Sequence, residues 1–281
     1  MALRFLVSLL LIAGTCLGIE RSPWFGNDKE LLGSAGYLYQ HSRNLAGAEG
    51  AIPINTNDSL LHLEFALSPT PEWNFMTRAE AAYTHTSDFF FNEWIARMEK
   101  NWLNDIIGDP LSITSQISLI IPTWESLHNA STPHSAPFEV EAGISLGKEL
   151  SQGPYWQWRF WISGDFGAGS KGSPWLKGEL GIEKALSLSQ RLRLTANETY
   201  GLGKDALTTL DNFNGYGPYA FHAVDLGVRY THIFHSYGNL NVEYSYRPYA
   251  QYLPEKQSQL SLSFRFPISL VSSFDTWDSY Q

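Results

Sequence analysis

QLSLSFRF, residues 259–266, is the stretch that decides the fold. Leu260, Leu262, Phe264 and Phe266 are apolar, and every residue between them is polar or charged. Successive side chains of a β-strand point to opposite faces, so this period of two predicts a strand with one apolar face and one polar face.

The same alternation recurs along the rest of the chain. Strong strands are predicted at 60–67, 73–85, 138–146, 156–163, 224–230 and 240–246, and weaker ones at 31–41, 90–103, 111–121, 175–184 and 190–199. Residues 90–103 also fit a helix. Together these segments predict an all-β protein, an antiparallel transmembrane β-barrel of about twelve strands, each near the length that a tilted spanning strand needs.

The connections between the predicted strands alternate in length, except that 86–89 is shorter than the pattern requires. Long connections are predicted at 42–58, 123–137, 164–174, 201–218 and 248–257, with shorter ones between them. Outer-membrane barrels have short periplasmic turns and longer extracellular loops, and an even strand count places both termini at the same end. The alternation therefore favours a membrane barrel over a soluble β-sandwich.

Charge and composition exclude several classes of protein. The 281 residues carry a formal charge of −9 with no basic cluster, which argues against a nucleic-acid partner. Aromatic residues make up 14% of the chain, yet no apolar run after the N-terminal segment reaches the eighteen residues of a spanning helix. A barrel with one apolar and one polar face fits both observations.

The N-terminus has the pattern of a secretory signal peptide. Arg4 precedes a short apolar run, residues 5–13, and small residues lead to a predicted cut after Gly18. An acylated Cys16 is the alternative interpretation, and cleavage after Gly18 would leave the mature chain without cysteine. The predicted organisation is a signal peptide at 1–18, a periplasmic lead-in at 19–30, the barrel at 31–270 and a periplasmic tail at 271–281.

Alternation does not by itself say which face points inward. Aromatic residues near the predicted strand ends (Trp73, Trp102, Trp156, Trp175 and Tyr246) fit the two interfaces of a membrane, which puts the charged face inside. The residues then predicted to line the lumen are Arg78, Glu80, Arg97, Glu99, Glu139, Glu141, Arg159, Lys177, Glu179, Arg191, Arg193, Asp225, Arg229, Glu243 and Arg265. With Glu93 counted among them, acidic and basic residues are equal in number.

The architecture resembles that of Gram-negative outer-membrane barrels. The segments SPWFGNDKELLGSAGYLYQ, residues 22–40, and WLNDIIGDPLSI, residues 102–113, also look like barrels of chlamydia-related bacteria. The resemblance implies an outer-membrane location, a monomer, and as partners the membrane lipids, the barrel-assembly machinery and small solutes. One departure is that such barrels usually end on an aromatic residue, whereas here 267–281 follow the last strand and Phe264 or Phe266 would serve as an internal signal.

Three functions remain open. A balanced interior at this diameter predicts a narrow, porin- or transporter-like lumen with mild selectivity at most, or an interior that is simply filled. A surface scaffold or adhesin would act through the extracellular loops, of which 201–218 is rich in glycine.

The third function is lipid hydrolysis. His85 and Ser87 in YTHTSDFFFNEW, residues 83–94, would share a face of a strand, with Asp88 or Glu93 to orient the histidine. This resembles outer-membrane lipid A deacylases and phospholipase A, although the turn that usually follows the serine is missing. The remaining histidines lack metal-ligand spacing and no dinucleotide or phosphate motif is present, so we predict no cofactor and no metal.

Overall fold

The structure of the protein, a computed structural model, describes residues 21–25, 29–152, 155–234 and 237–269. The predicted signal peptide at 1–18 and the predicted tail at 271–281 lie outside these residues. Within the described ranges, no helix is both long and apolar enough to cross a membrane.

The described chain forms one closed sheet of twelve long antiparallel strands and one short strand, β12. β1 pairs with β2 on one side and with β13 on the other, which closes the barrel. A four-residue helix, α1 (Trp124–Leu127), and a 3-10 turn at Asp105–Ile107 complete the structure. The strands are β1 (Glu30–Gly47), β2 (Gly50–Thr70), β3 (Trp73–Tyr83), β4 (Phe90–Leu103), β5 (Ser112–Pro122), β6 (Glu139–Gln152), β7 (Tyr155–Gly169), β8 (Trp175–Ser187), β9 (Gln190–Gly201), β10 (His222–Ile233), β11 (Asn239–Gln251), β12 (Pro254–Glu255) and β13 (Ser258–Ser269).

The apolar face of each strand points outward. Leu63, Phe160 and Leu262 are 45%, 39% and 47% exposed. Their chain neighbours point the other way: Glu64, next to Leu63, and Ser261, next to Leu262, are both buried. Lipid can cover an apolar outer surface of this kind, and a closed barrel leaves no strand edge unpaired in lipid. The predicted all-β barrel is thus confirmed, and residues 90–103 form a strand rather than a helix.

Several connections are shorter than predicted because the strands run on. β1 and β2 meet at a two-residue turn, 48–49, so the long loop predicted at 42–58 is wrong. β7 likewise extends through most of the predicted loop at 164–174. Both stretches contain glycine, and 42–58 also contains proline and asparagine, which are common in turns. A paired strand needs only backbone partners, so it can continue through such residues.

The two ends of the barrel differ. We call the end where β1 begins and β13 ends the terminal end, and the opposite end the loop end. Connections at the terminal end include 71–72, 104–111 and 188–189, whereas the two longest of all, 123–138 and 202–221, both lie at the loop end. This is the asymmetry that the sequence predicted.

Two of the predicted interfacial tryptophans instead face the lumen. Trp175 is 2% exposed and donates to Glu141, at 2.8 Å. Trp156 pairs with Ser151 across a register shift, a β-bulge that reverses its face, and the guanidinium of Arg159 lies 4.4 Å from its ring centroid. Strict alternation cannot anticipate a bulge, because a bulge adds one residue to one strand only.

Candidate functional site

The charged residues predicted for the lumen lie on the inner wall. The structure places there Arg78, Glu80, Arg97, Glu99, Glu139, Glu141, Arg159, Lys177, Glu179, Arg191, Arg193, Asp225, Arg229, Glu243 and Arg265, and Glu93 with them. Glu93 follows a register shift between β3 and β4, which turns both it and the buried Asn92 toward the lumen. The inner wall therefore carries many charged residues, although Leu38, Leu60, Ile95 and Ile120 also line the interior cavity.

Most of these charges are tied into cross-strand ion pairs. Arg229 meets Glu243 at 2.6 Å, and Arg193 meets Glu183 at 3.2 Å. Residues directly opposite one another on antiparallel strands interact through their side chains, and the registers pair these residues directly. Where residues are paired in this way, opposite charges lie side by side along the wall.

Five inner-wall residues in these pairs were not predicted as lumen-lining. They are Glu64, Glu149, Asp165, Glu183 and Arg247. Glu64 and Glu183 lie on the polar face of strands that the sequence predicts, so the alternation within those strands was enough to identify them. Asp165 and Arg247 lie where the predicted strands stopped too early, so extending the strands was the missing step.

A cap lies over the loop end of the lumen. The connection 202–221 folds inward and places Leu207, Phe213, Tyr216 and Phe221 in a buried cluster with Trp175. The sequence predicts an extracellular loop at 201–218, and the connection does lie at the loop end. It packs inward because burying its apolar residues removes apolar area from water.

Tyr216 is the centre of the cap. It is 1% exposed, its hydroxyl donates to the carbonyl oxygen of Ala130, and its ring lies 4.9 Å from that of Phe213. Burial raises the pKa of Tyr216 above its ordinary value, so the hydroxyl keeps its proton. Through this bond the connections 123–138 and 202–221 hold each other in place.

His134 lies beneath the cap and is only 7% exposed. Its Nε2 is 3.9 Å from a carboxylate oxygen of Glu93. Burial, with the nearby Lys177 ammonium, lowers the pKa of His134 to about 3. The imidazole is therefore neutral at neutral pH, and it cannot serve there as a cation partner for Glu93.

A cavity of about 250 Å³ lies below the cap. Its wall includes Glu93, His134 and Trp175 on one side and Arg229 and Arg247 on the other. Glu80 accepts from the side-chain amide of Asn92 at 2.7 Å. The cavity thus combines polar, charged and aromatic groups from strands all around the barrel.

The terminal end is narrowed by the segment 21–25, which lies inside the barrel. Arg21 reaches Asp165 at 2.7 Å and also lines the cavity under the cap. Pro23 is fully buried, and the ring of Trp24 packs edge-on against Trp161 with a centroid distance of 6.3 Å. Nothing in the local sequence pattern signals this position, because the segment does not alternate.

Asp105 anchors the segment at the terminal end. Its carboxylate accepts from Trp24 Nε1 at 3.0 Å and from Ser112 at 2.6 Å. Burial raises the pKa of Asp105, but hydrogen bonds from Ser112, the Glu149 backbone and Trp24 outweigh burial and hold this pKa below its usual range. Asp105 is therefore an ionised acceptor at neutral pH.

The hydrolase residues do not form a strand. β3 ends at Tyr83, and His85 and Ser87 lie in the connection 84–89, so the shared strand face on which the hypothesis depended does not exist. The Ser87 backbone N–H bonds to Thr84, and no hydrogen bond of the described residues joins the imidazole to the serine hydroxyl. Glu93 faces the lumen instead. Across the described residues, no group of three or more His, Cys, Asp or Glu is arranged to hold a metal ion.

Comparison with solved structures decides the fold. A channel of Pseudomonas putida F1, described as an outer membrane channel, superimposes with a TM-score of 0.63 at 11% identity, covering 89% of this chain and 100% of that chain. The chain has the fold of an outer-membrane β-barrel.

Two porins are similar as well. The NanC porin has a TM-score of 0.54 at 6% identity, covering 83% of this chain and 97% of that chain. The KdgM porin has a TM-score of 0.50 at 7% identity, covering 83% and 98%. No model of a known protein family and no curated protein sequence matches this chain. At such identities the likeness establishes the fold alone, and the likeness to barrels of chlamydia-related bacteria stays a prediction.

Proposed function

We propose that this chain is a channel of the Gram-negative outer membrane that passes small polar solutes through a narrow, weakly selective lumen. The observation that carries the proposal is the division of the barrel wall, with apolar side chains outside and polar and charged residue types inside. A polar lumen inside an apolar wall is the arrangement of barrels that conduct water and solutes. The terminal end would then face the periplasm and the loop end the exterior.

Weak selectivity follows from the ion pairs of the inner wall. Strong selection between anions and cations requires a ring of one sign, and the cross-strand pairs cancel charge locally. Twelve strands enclose a lumen in which long side chains take up much of the space. Solutes that pass must therefore be small, and they meet both donors and acceptors along the wall.

Single-channel recording in planar bilayers tests the proposal. We expect discrete conductance steps and, under a potassium chloride gradient, a reversal potential close to zero. Swelling of liposomes that contain the protein, measured with sugars of increasing size, gives the exclusion limit. If the folded barrel gives no conductance at any voltage and no swelling, the interior only fills the barrel and the channel proposal is wrong.

A further inference from the structure

The segment 21–25 is held by contacts to four different elements of the wall. Arg21 pairs with Asp165 on β7, and its carbonyl oxygen accepts from Ser145 on β6 at 2.6 Å. The carbonyl oxygen of Pro23 accepts from Thr114 on β5 at 2.9 Å. With the bond from Trp24 to Asp105, these contacts fix the segment at one place along the lumen.

The wall also has a recess into which the segment fits. Gly147 lies on the inner face of β6, and a Cβ added there would be 2.6 Å from Cγ of Pro23 and 2.7 Å from Cη2 of Trp24. Glycine weakens a strand, so a glycine in mid-strand often marks a close approach of another part of the chain. The wall is thus shaped for this segment as well as bonded to it.

The position of the segment makes it an obstruction. Trp24 lies at the terminal-end turn, and Arg21 lies deep enough to line the cavity under the cap. Any solute moving between that cavity and the terminal end has to pass this segment. The contacts named above are made by side chains, either to side chains or to carbonyl oxygens, so withdrawing the segment leaves the strand ladders of the barrel intact.

We propose that residues 21–25 are a removable plug that limits conductance from the terminal end of the barrel. The proposal rests on the proposed channel function and adds its regulation. The closed state has the plug seated against Gly147 and Asp165, and the open state has it withdrawn from the lumen. The alternative, a fixed filler of the lumen, predicts that loosening the segment changes stability but not conductance.

Two plug variants and a matched control test this in planar bilayers. The double variant Arg21→Ala/Trp24→Ala removes the anchors, and Gly147→Leu fills the recess. Gly164→Leu is the control, because a Cβ at Gly164 meets nothing within 4 Å. We expect a several-fold rise in conductance or open time for both plug variants and none for the control. Heat-modifiable gel mobility establishes that each variant is a folded barrel.

A disulfide lock gives a second measurement on a single protein. The added Cβ at Gly147 lies so near Pro23 that cysteines at both positions fall within disulfide reach, so Pro23→Cys/Gly147→Cys can be tied shut by oxidation. We expect low conductance when oxidised and a several-fold increase on reduction, with no response to reductant in either single-cysteine variant.

The outcomes separate the two proposals. If wild type conducts and neither the plug variants nor the reduced lock conducts more, the plug is wrong and the channel stands. If no folded form conducts, including the reduced lock, both proposals are wrong.

Discussion

At the scale of single residues, the inner wall depends on pairs whose members are both buried. Arg247 donates to Asp225 through two nitrogens, at 2.8 and 2.9 Å, and a third nitrogen reaches the carbonyl oxygen of Pro254 at 3.3 Å. Both side chains are more than nine-tenths buried. Removing one partner from such a pair leaves a charge without compensation in a place from which water is largely excluded.

Arg247→Ala should therefore lower the free energy of unfolding by about 3–5 kcal/mol. Urea unfolding in detergent micelles, followed by gel mobility, measures this. The control is Asp225→Asn/Arg247→Met, which removes both charges and should recover most of the loss. An Arg247→Ala barrel as stable as wild type would contradict the role assigned to the pair.

The lowered pKa of His134 makes the free energy of unfolding depend on pH. Its pKa is lowered from about 6.5 in the unfolded chain to about 3 in the folded protein by burial and by Lys177. Between these values the unfolded chain binds a proton and the folded chain does not, so this histidine makes stability fall as the pH drops from about 6.5 toward 3.

His134→Asn should flatten that dependence, since asparagine does not titrate. The free energy of unfolding, measured at about pH 7 and about pH 4.5, should fall less in the variant than in wild type. Other groups titrate in the same interval, so the comparison is the difference between the two proteins. Identical pH profiles would show that His134 is not enclosed in its neutral form.

At the scale of elements, β2 shows how the two faces of one strand meet lipid on the outside and the lumen on the inside. Leu63 is 45% exposed on the outer face, between Ala35 of β1 and Ala79 of β3, while Glu64 beside it is paired inside. An outward arginine at mid-membrane depth costs about 2–4 kcal/mol in barrels of this kind.

Leu63→Arg should thus destabilise the lipid-embedded barrel by about 2–4 kcal/mol. Leu63→Ala is the matched control, because it removes the side chain without adding charge. Unfolding in lipid vesicles measures both. A neutral effect of arginine would mean that this face of β2 does not contact acyl chains.

The stability of the cap should depend on Tyr216. Tyr216→Phe keeps the ring and removes the hydroxyl that bonds to Ala130, which leaves a buried carbonyl oxygen unsatisfied and should cost about 1–3 kcal/mol. Tyr216→Ala also opens a cavity and should cost about 3–5 kcal/mol.

Proteolysis reports whether the cap itself opens. With either variant of Tyr216 we expect faster cleavage within 202–221, and faster for alanine than for phenylalanine. Cleavage at the wild-type rate in both would show that Tyr216 does not hold the two loop-end connections together.

At the scale of the whole molecule, closure of the sheet is what allows its apolar outer face to lie in lipid. The pairing of β1 with β13 leaves no free edge in the described sheet, from Glu30 opposite Ser269 to His41 opposite Ser258. Barrels closed in this way stay folded in detergent until they are heated.

We expect the purified protein to remain in the detergent phase and to migrate faster on gels before heating than after it. Membrane fractionation should place it in the outer membrane. A chain that stays soluble without detergent would contradict the membrane location and, with it, the proposed channel.

Much of this fold could be predicted from the sequence. The alternation in QLSLSFRF and in ten or so similar segments decided strand type and face, because the side-chain period of a strand is two wherever the strand lies. The same alternation placed the predicted charged residues on the inner wall. Strand ends were predicted less well, as Asp165 and Arg247 show, because pairing continues past the last apolar residue.

Alternation by itself also describes a barrel with an apolar core, so the sequence indicated the inner face only through the aromatic residues near the strand ends, and the tertiary structure decided it. It also decided the positions that depend on contacts between distant parts of the chain: Trp156 turned inward by a bulge, Tyr216 folded under the loop end, and Pro23 packed against Gly147. Local sequence fixes the direction of a side chain relative to its own strand. Whether a loop or a terminal segment occupies the lumen depends on the shape and charge of a wall that exists only when all the strands have closed around it.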